Sequence, residues 1–322
     1  MSESGLTLDL QTLRTFAVEQ FYGGTGDYSA LTSDEQSRVD RCINSGLRQF
    51  LYPPAIGGKV HAWSFLRKNE TITLRAPYST GTVAITSGVV TLTGGTFPSW
   101  AASGQLEIDG TDYEVTTRDS GTQLTLLDTS LTVSSGETYV LHQDDYDLPD
   151  DFATLVSHPT YQPSQNWKSA LLQVSEQEIR QKRESELGGG LEYPSLYAIR
   201  AKVNDPTAGT RSEIMFWPKV QTAEIIYYRY EVRADVLTTT NKYAWGASDH
   251  SETLKDSILA AFEFHIDGQA GPAMQKFMTS LQTSVERDKR IGGPRNLGYN
   301  GNGRTGTWRP LSNPVTFRET TP

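Results

Sequence analysis

QLEIDGTDYEVTTR, residues 105–118, decides how the middle of this chain is read. Apolar residues alternate with polar ones on both sides of a central Asp109-Gly110 pair. Asp-Gly tolerates the positive φ that a two-residue hairpin turn needs at both central positions, so the pattern predicts two antiparallel strands. Similar short runs flank it between about Glu70 and Asp144: TITLRA, GTVAIT and VVTLTG before, TQLTLLD and TYVLHQ after. Thr, Val and Gly dominate there and helix formers almost vanish. A small antiparallel barrel or sandwich of roughly five to seven strands fits this composition.

Helical patterning surrounds the β-rich stretch. Upstream, Leu10, Leu13, Phe16, Ala17 and Phe21 recur at helical spacing until Gly23-Gly24. A second helix is predicted from Ser33-Asp34-Glu35-Gln36, read as a capping box in which Gln36 reaches back to the Ser33 amide. Val39, Ile43, Leu47 and Phe50 form its apolar stripe, and Pro53-Pro54 stops it. Cys42 falls inside that helix and reads as a packed residue rather than a nucleophile.

Downstream, Pro149 in YDLPDDF (146–152) forbids a central strand, and its carboxylates suit a turn or helix start. Ser175-Glu176-Gln177-Glu178 caps a short charged helix that Gly188-Gly189-Gly190 stops. SLYAIRA, EIMFWP and AEIIYYRYEV read as strands. The last carries apolar or aromatic residues on both parities, as in a strand covered on both faces. Two helices follow. Asp249 and Glu252 suit the first turn of one, with a stripe of Leu254, Ile258, Ala261, Phe262 and Ile266 ended by Gly268 and Gly271-Pro272. Met274, Phe277, Met278, Leu281 and Val285 mark the other, ending at Gly292-Gly293-Pro294.

The expected fold is therefore α+β. A helical main domain with a small antiparallel sheet spans 1–68 and 145–293, an inserted all-β barrel-like domain spans 69–144, and an extended C-terminal tail spans 294–322.

The formal net charge of −9 argues against duplex binding over the whole surface, which needs clustered Lys and Arg. A single cysteine excludes an intrachain disulfide. MSESGLTLDL lacks the charged and apolar regions of a signal peptide, and no run approaches the ~18 apolar residues of a membrane span. A soluble protein made in a reducing cytoplasm, with no membrane partner, is the expectation.

No catalytic pattern emerges. His61, His142, His158, His250 and His265 form no HExxH pair, and His265, on an apolar helix, reads as packing or capping. Asp144, Asp145, Asp147, Asp150 and Asp151 lack the glycine and terminal glutamate of an EF-hand loop and read as a solvated connector. There is no GxSxG elbow and no GxxxxGK[ST] loop. A glycan hydrolase would need two carboxylates across a cleft, and no such pair is evident. The expectation is no enzyme, no cofactor and no metal.

The C-terminal stretch has another character. Arg287, Lys289, Arg290, Arg295, Arg304 and Arg309 outnumber the acids Glu286 and Asp288 there, and Tyr299, Trp308 and Phe317 stand among the charges. A segment that folds on a partner would use such aromatic anchors.

The opening helical pair ending in LRQFLYPP, the YDLPDDF segment, the EIMFWP…IIYYRYEV strands and the closing helices together resemble tailed-phage head-to-tail adaptor (head completion, connector) proteins. The GTVAIT…VVTLTG…IDGTDYEVTTRDSGTQLTL run is similar to small β-barrel insertions of phage virion proteins. This resemblance implies a homo-oligomeric ring, commonly of about twelve subunits, docked beneath the portal in the virion neck. Such a ring extends the DNA channel, makes at most non-specific contact with passing DNA and receives the next neck or tail protein. It implies that Arg295, Tyr299, Arg304, Trp308, Arg309 and Phe317 meet the portal. The alternative is another tail or baseplate structural protein, such as a tail hub or fibre-attachment module.

Overall fold

The computed structural model describes residues 7–292 apart from 24–25, 56–57, 59, 166–167, 169, 186–192 and 203–208. In chain order, helices α1 (Leu10–Phe21) and α2 (Ser33–Leu51) lead into strand β1 (Arg67–Leu74). There follow β2 (Thr82–Thr86), β3 (Val89–Thr93), β4 (Gln105–Ile108), β5 (Thr111–Arg118), β6 (Gln123–Leu126), β7 (Val133–Glu137) and β8 (Val140–His142). Next come β9 (Asp145–Asp147), β10 (Phe152–Leu155), β11 (Thr160–Tyr161), β12 (Leu172–Gln173) and helix α3 (Glu176–Glu184). Strands β13 (Leu196–Ala201), β14 (Ser212–Trp217) and β15 (Glu224–Val232) precede helices α4 (Ser251–Asp267) and α5 (Pro272–Gly292).

The Asp-Gly hairpin forms as predicted. Asp109 and Gly110 both take positive φ (49° and 76°), and Ile108 faces Thr111 across the turn. Ser87-Gly88 makes a second such turn between β2 and β3. Strands β2 to β8 form one curled antiparallel sheet in the order β7-β2-β3-β6-β5-β4-β8, over its own core of Val83, Ile85, Val90, Leu106, Leu124 and Leu141. Chain entry and exit are neighbours: Tyr78 and Leu141 exchange both backbone hydrogen bonds at 2.8 Å.

Thr71–Leu74, expected among the inserted strands, lies elsewhere. It belongs to β1, which pairs along its whole length with β15, and β10 and β11 pair with the other edge of β15. A second four-stranded sheet runs β12-β13-β14-β9. The two sheets share one core, where Ile72, Ile226, Tyr228 and Tyr230 meet Tyr146, Ile214 and Phe216. The small sheet expected of the main domain is thus a pair of sheets. Burial of β15 alternates, with the even-numbered residues Glu224 to Val232 buried and Tyr227 and Arg229 exposed. The strand covered on both faces is β14 instead: Ile214 and Phe216 enter the shared core, while Met215 packs under Ile179 of α3. YDLPDDF becomes β9, a turn at Pro149, and the start of β10.

The helices keep a core of their own. Leu13, Val39, Ile43, Leu47, Phe50, Leu254, Ile258, Phe277 and Leu281 are all buried there with Trp63 and Leu66. Cys42 lies in it, and burial pushes its thiol above the ordinary range. At Gly46 helices α2 and α4 touch backbone to backbone. A Cβ there would lie 2.6 Å from Ile258 Cα, and the Ser257 hydroxyl donates to the Gly46 carbonyl at 2.7 Å.

The α2 cap is displaced by one residue from its predicted place. Thr32 is the N-cap and Glu35, three residues on, returns the bond to the Thr32 amide; Gln36 donates to the carbonyls of Tyr28 and Leu31. Thr32 and Ser33 are both capping residues, and the acid three residues downstream of the first decides the register. The stripe of α4 ends early: Phe264 and Ile266 are 57% and 62% exposed, and His265, expected to pack or cap, is exposed too. Periodicity names a face of a helix but not how far its neighbours extend to cover it. The glycine run 188–190 and Gly293-Pro294 lie outside the described residues.

Candidate functional site

The histidines sort by surroundings. His61 bonds Asp288 at 2.8 Å, joined there by the Ser64 amide and hydroxyl. Burial pushes the Asp288 carboxyl up, but the Ser64 and His61 bonds outweigh it and hold it below the usual range. His158 meets the Tyr197 hydroxyl at 3.0 Å. His250 sits among the rings of Phe50, Trp63 and Phe65, and burial holds it below the ordinary histidine value.

The aspartates of the 144–151 segment are a solvated connector only in part: Asp147 and Asp150 are exposed, whereas Asp144 is buried and Asp145 largely covered. Asp145 receives Arg183 at 2.7 Å and Arg200 at 3.2 Å, and Arg200 also pairs with Glu213 and Glu176. Asp147 pairs with Lys202 at 2.6 Å, Asp150 pairs with Arg211, and Asp151 accepts from the Tyr230 hydroxyl at 2.7 Å. These contacts tie β9 and the following turn to β13, β14, β15 and α3. A strand edge facing arginines needs its carboxylates in place, which spacing along the chain alone does not disclose.

Asp144 takes a different role, at the junction between the curled sheet and the two-sheet core. It is 2% exposed, and one carboxylate oxygen accepts from the Val220 amide at 3.2 Å. The other oxygen has no hydrogen-bond partner and lies 3.4 Å from Nε2 of His142, itself 1% exposed with neither ring nitrogen bonded. The same Nε2 is 3.7 Å from Asp112. Across the hairpin, Glu107 stands directly opposite Asp112. Lys219, from the segment after β14, reaches both at 2.8 and 2.9 Å. Burial pulls His142 down and pushes Asp144 up. Burial also works against the charge of Lys219, but its bonds to Glu107 and Asp112 outweigh that and raise it.

This cluster was not anticipated. A signal for half of it existed: the Asp109-Gly110 turn fixes the register that sets Glu107 against Asp112, and like charges directly opposite are unfavourable without a cation. The arrival of His142, Asp144 and Lys219 depends on tertiary packing.

A shallow cleft of about 430 Å³ opens nearby, where Trp100 meets Ile72, Tyr146 and Tyr228. Its polar lining among the described residues includes Glu70, Arg75, Gln143 and Asp147. Among the described residues no helix is long and apolar enough to cross a membrane. Arg287, Lys289 and Arg290 are exposed on the last turns of α5, with Arg287 donating to the Asp249 backbone and side chain. The expected partner-binding residues Arg295, Tyr299, Arg304, Trp308, Arg309 and Phe317 lie outside the described residues.

Among the described residues, these charged and aromatic side chains join sheets and helices to one another. The family model described as SU10 adaptor protein matches residues 71–298, more than two thirds of the chain. The chain belongs to that family of phage structural adaptors. The matched range contains the curled sheet, the sheet β12-β13-β14-β9, the other sheet apart from the first four residues of β1, α4 and α5; the opening helices with LRQFLYPP precede it. No curated protein matches the chain.

Proposed function

We propose that this adaptor acts in the virion neck, as a head-to-tail connector whose copies form a ring of about twelve beneath the portal. Membership of the adaptor family is the observation that carries this reading. The ring extends the DNA channel and offers its lower face to the next neck or tail protein. Repeated heterologous contacts close it. Exposed apolar residues at the end of α4, Phe264 and Ile266, suit such contacts. The net charge of −9 suits a wall that lets DNA pass without holding it.

In this reading the segment after Gly293 docks on the portal through Arg295, Tyr299, Arg304, Trp308, Arg309 and Phe317, ordering as it binds. Chain truncated after Gly293 is expected to fold and to fail to join portal-containing heads, scored by co-sedimentation and electron microscopy. Normal attachment of the truncated chain would refute tail docking. Density for the chain at the baseplate, away from the capsid vertex, would replace the neck assignment with a tail hub or fibre-attachment role.

A further inference from the structure

We propose that Glu107, Asp112 and His142 form a binding site for one divalent transition cation of the zinc class, at the junction between the curled sheet and the two-sheet core. Two independent observations carry this. Ligand atoms of the three residues all lie within 4.8 Å of one another. Into the same point is aimed a histidine that is 1% exposed and whose ring nitrogens bond nothing, beside an unpartnered oxygen of the 2%-exposed Asp144. Buried polar groups without partners are costly, and a cation accepting the Nε2 lone pair gives that nitrogen its partner.

The donor set selects the metal. One imidazole with carboxylates suits zinc and its neighbours, whereas calcium and magnesium prefer oxygen alone. Lys219 occupies the cationic position between Glu107 and Asp112, and its side chain is 35% exposed, so it can withdraw to solvent when the metal enters. Glu107 and Asp112 belong to the curled sheet, and Asp144 and Lys219 to the segments around β9 and β14. All three ligands, His142 on β8 included, belong to the curled sheet, so a bound cation ties β4, β5 and β8 together and stabilises that sheet by mass action.

The test uses full-length chain stripped with a chelator and titrated with zinc or cobalt(II) chloride. One equivalent is expected to bind with a rise in melting temperature, and cobalt(II) to show visible absorption of nitrogen and oxygen ligation. His142→Ala and Asp112→Asn should each weaken binding by about 10–100-fold, the scale seen even for outer-shell losses. Lys219→Met should tighten it, by removing the competing charge. Asp112 is partly exposed, so its variant guards against His142→Ala failing to fold. Absence of saturable binding to the unmodified chain overturns the proposal, as does binding that survives both ligand variants.

Discussion

Gly46 and His250 show what single residues decide here. Gly46 lets α2 and α4 meet at backbone contact, since a Cβ would press on Ile258 Cα and N, which no side-chain rotation relieves. Alanine is the better helix former by about 1 kcal/mol, yet Gly46→Ala should be net destabilising, because overpacking costs about 1–3 kcal/mol. A lower midpoint in chemical denaturation checks this; an unchanged or raised one refutes it. His250 makes a pH prediction. Burial lowers its folded pKa, while in the unfolded chain it titrates near about 6.5. Below that pH the unfolded state binds a proton that the folded state resists, so the stabilising contribution is complete above ~6.5 and is lost as pH falls through it. Denaturation midpoints should fall between about pH 8 and pH 5.5. His250→Phe should shrink the drop without abolishing it, because buried His142 shifts in the same direction. Asp288, whose folded pKa is lowered, loses its contribution in a separate window, below about pH 4.

At the scale of elements, the N-terminus of α2 rests on a reciprocal cap between exposed Thr32 and Glu35. Thr32→Ala should cost about 1 kcal/mol. Adding Glu35→Ala should cost less than the separate sum, because the two side chains form one unit. Urea titrations of the single and double variants measure it, and strict additivity would contradict the reciprocal cap. The legible elements are those whose signals are local. The stripes of α2 and α5 follow 3.6-residue spacing, and Asp109-Gly110 supplies its own turn. What sequence spacing left unread was partnership: β1 looks like its neighbours 82–94 in composition, yet it pairs with β15, about 150 residues further on in a chain where only hydrogen-bond register records it.

For the molecule as a whole, three large hydrophobic clusters among the described residues support the helices, the paired sheets and the curled sheet, and a fourth, small one seats α3 on β13 and β14. The chain enters the curled sheet at Tyr78 and leaves it at Leu141, and those residues are hydrogen-bonded neighbours. Replacing residues 79–140 with a short Gly-Asn linker should therefore leave the helices and paired sheets folded, with a cooperative melt and retained helical circular dichroism. A product without either signal would show that the curled sheet is required for the rest to fold.

The sequence by itself determined the α+β class, the helix faces, the Asp-Gly hairpin and the burial of Cys42, because each rests on spacing or on a residue's own conformational freedom. It also determined the absence of the sought catalytic motifs from the chain. Only the tertiary structure decided that β1 joins β15, that β14 rather than β15 is covered on both faces, and that Phe264, His265 and Ile266 stay exposed. It alone brought His142, Asp144 and Lys219 to the Glu107–Asp112 hairpin. Periodicity reports which face of an element is apolar; which surface covers that face, and which distant charge answers a buried one, is settled by packing across the whole chain.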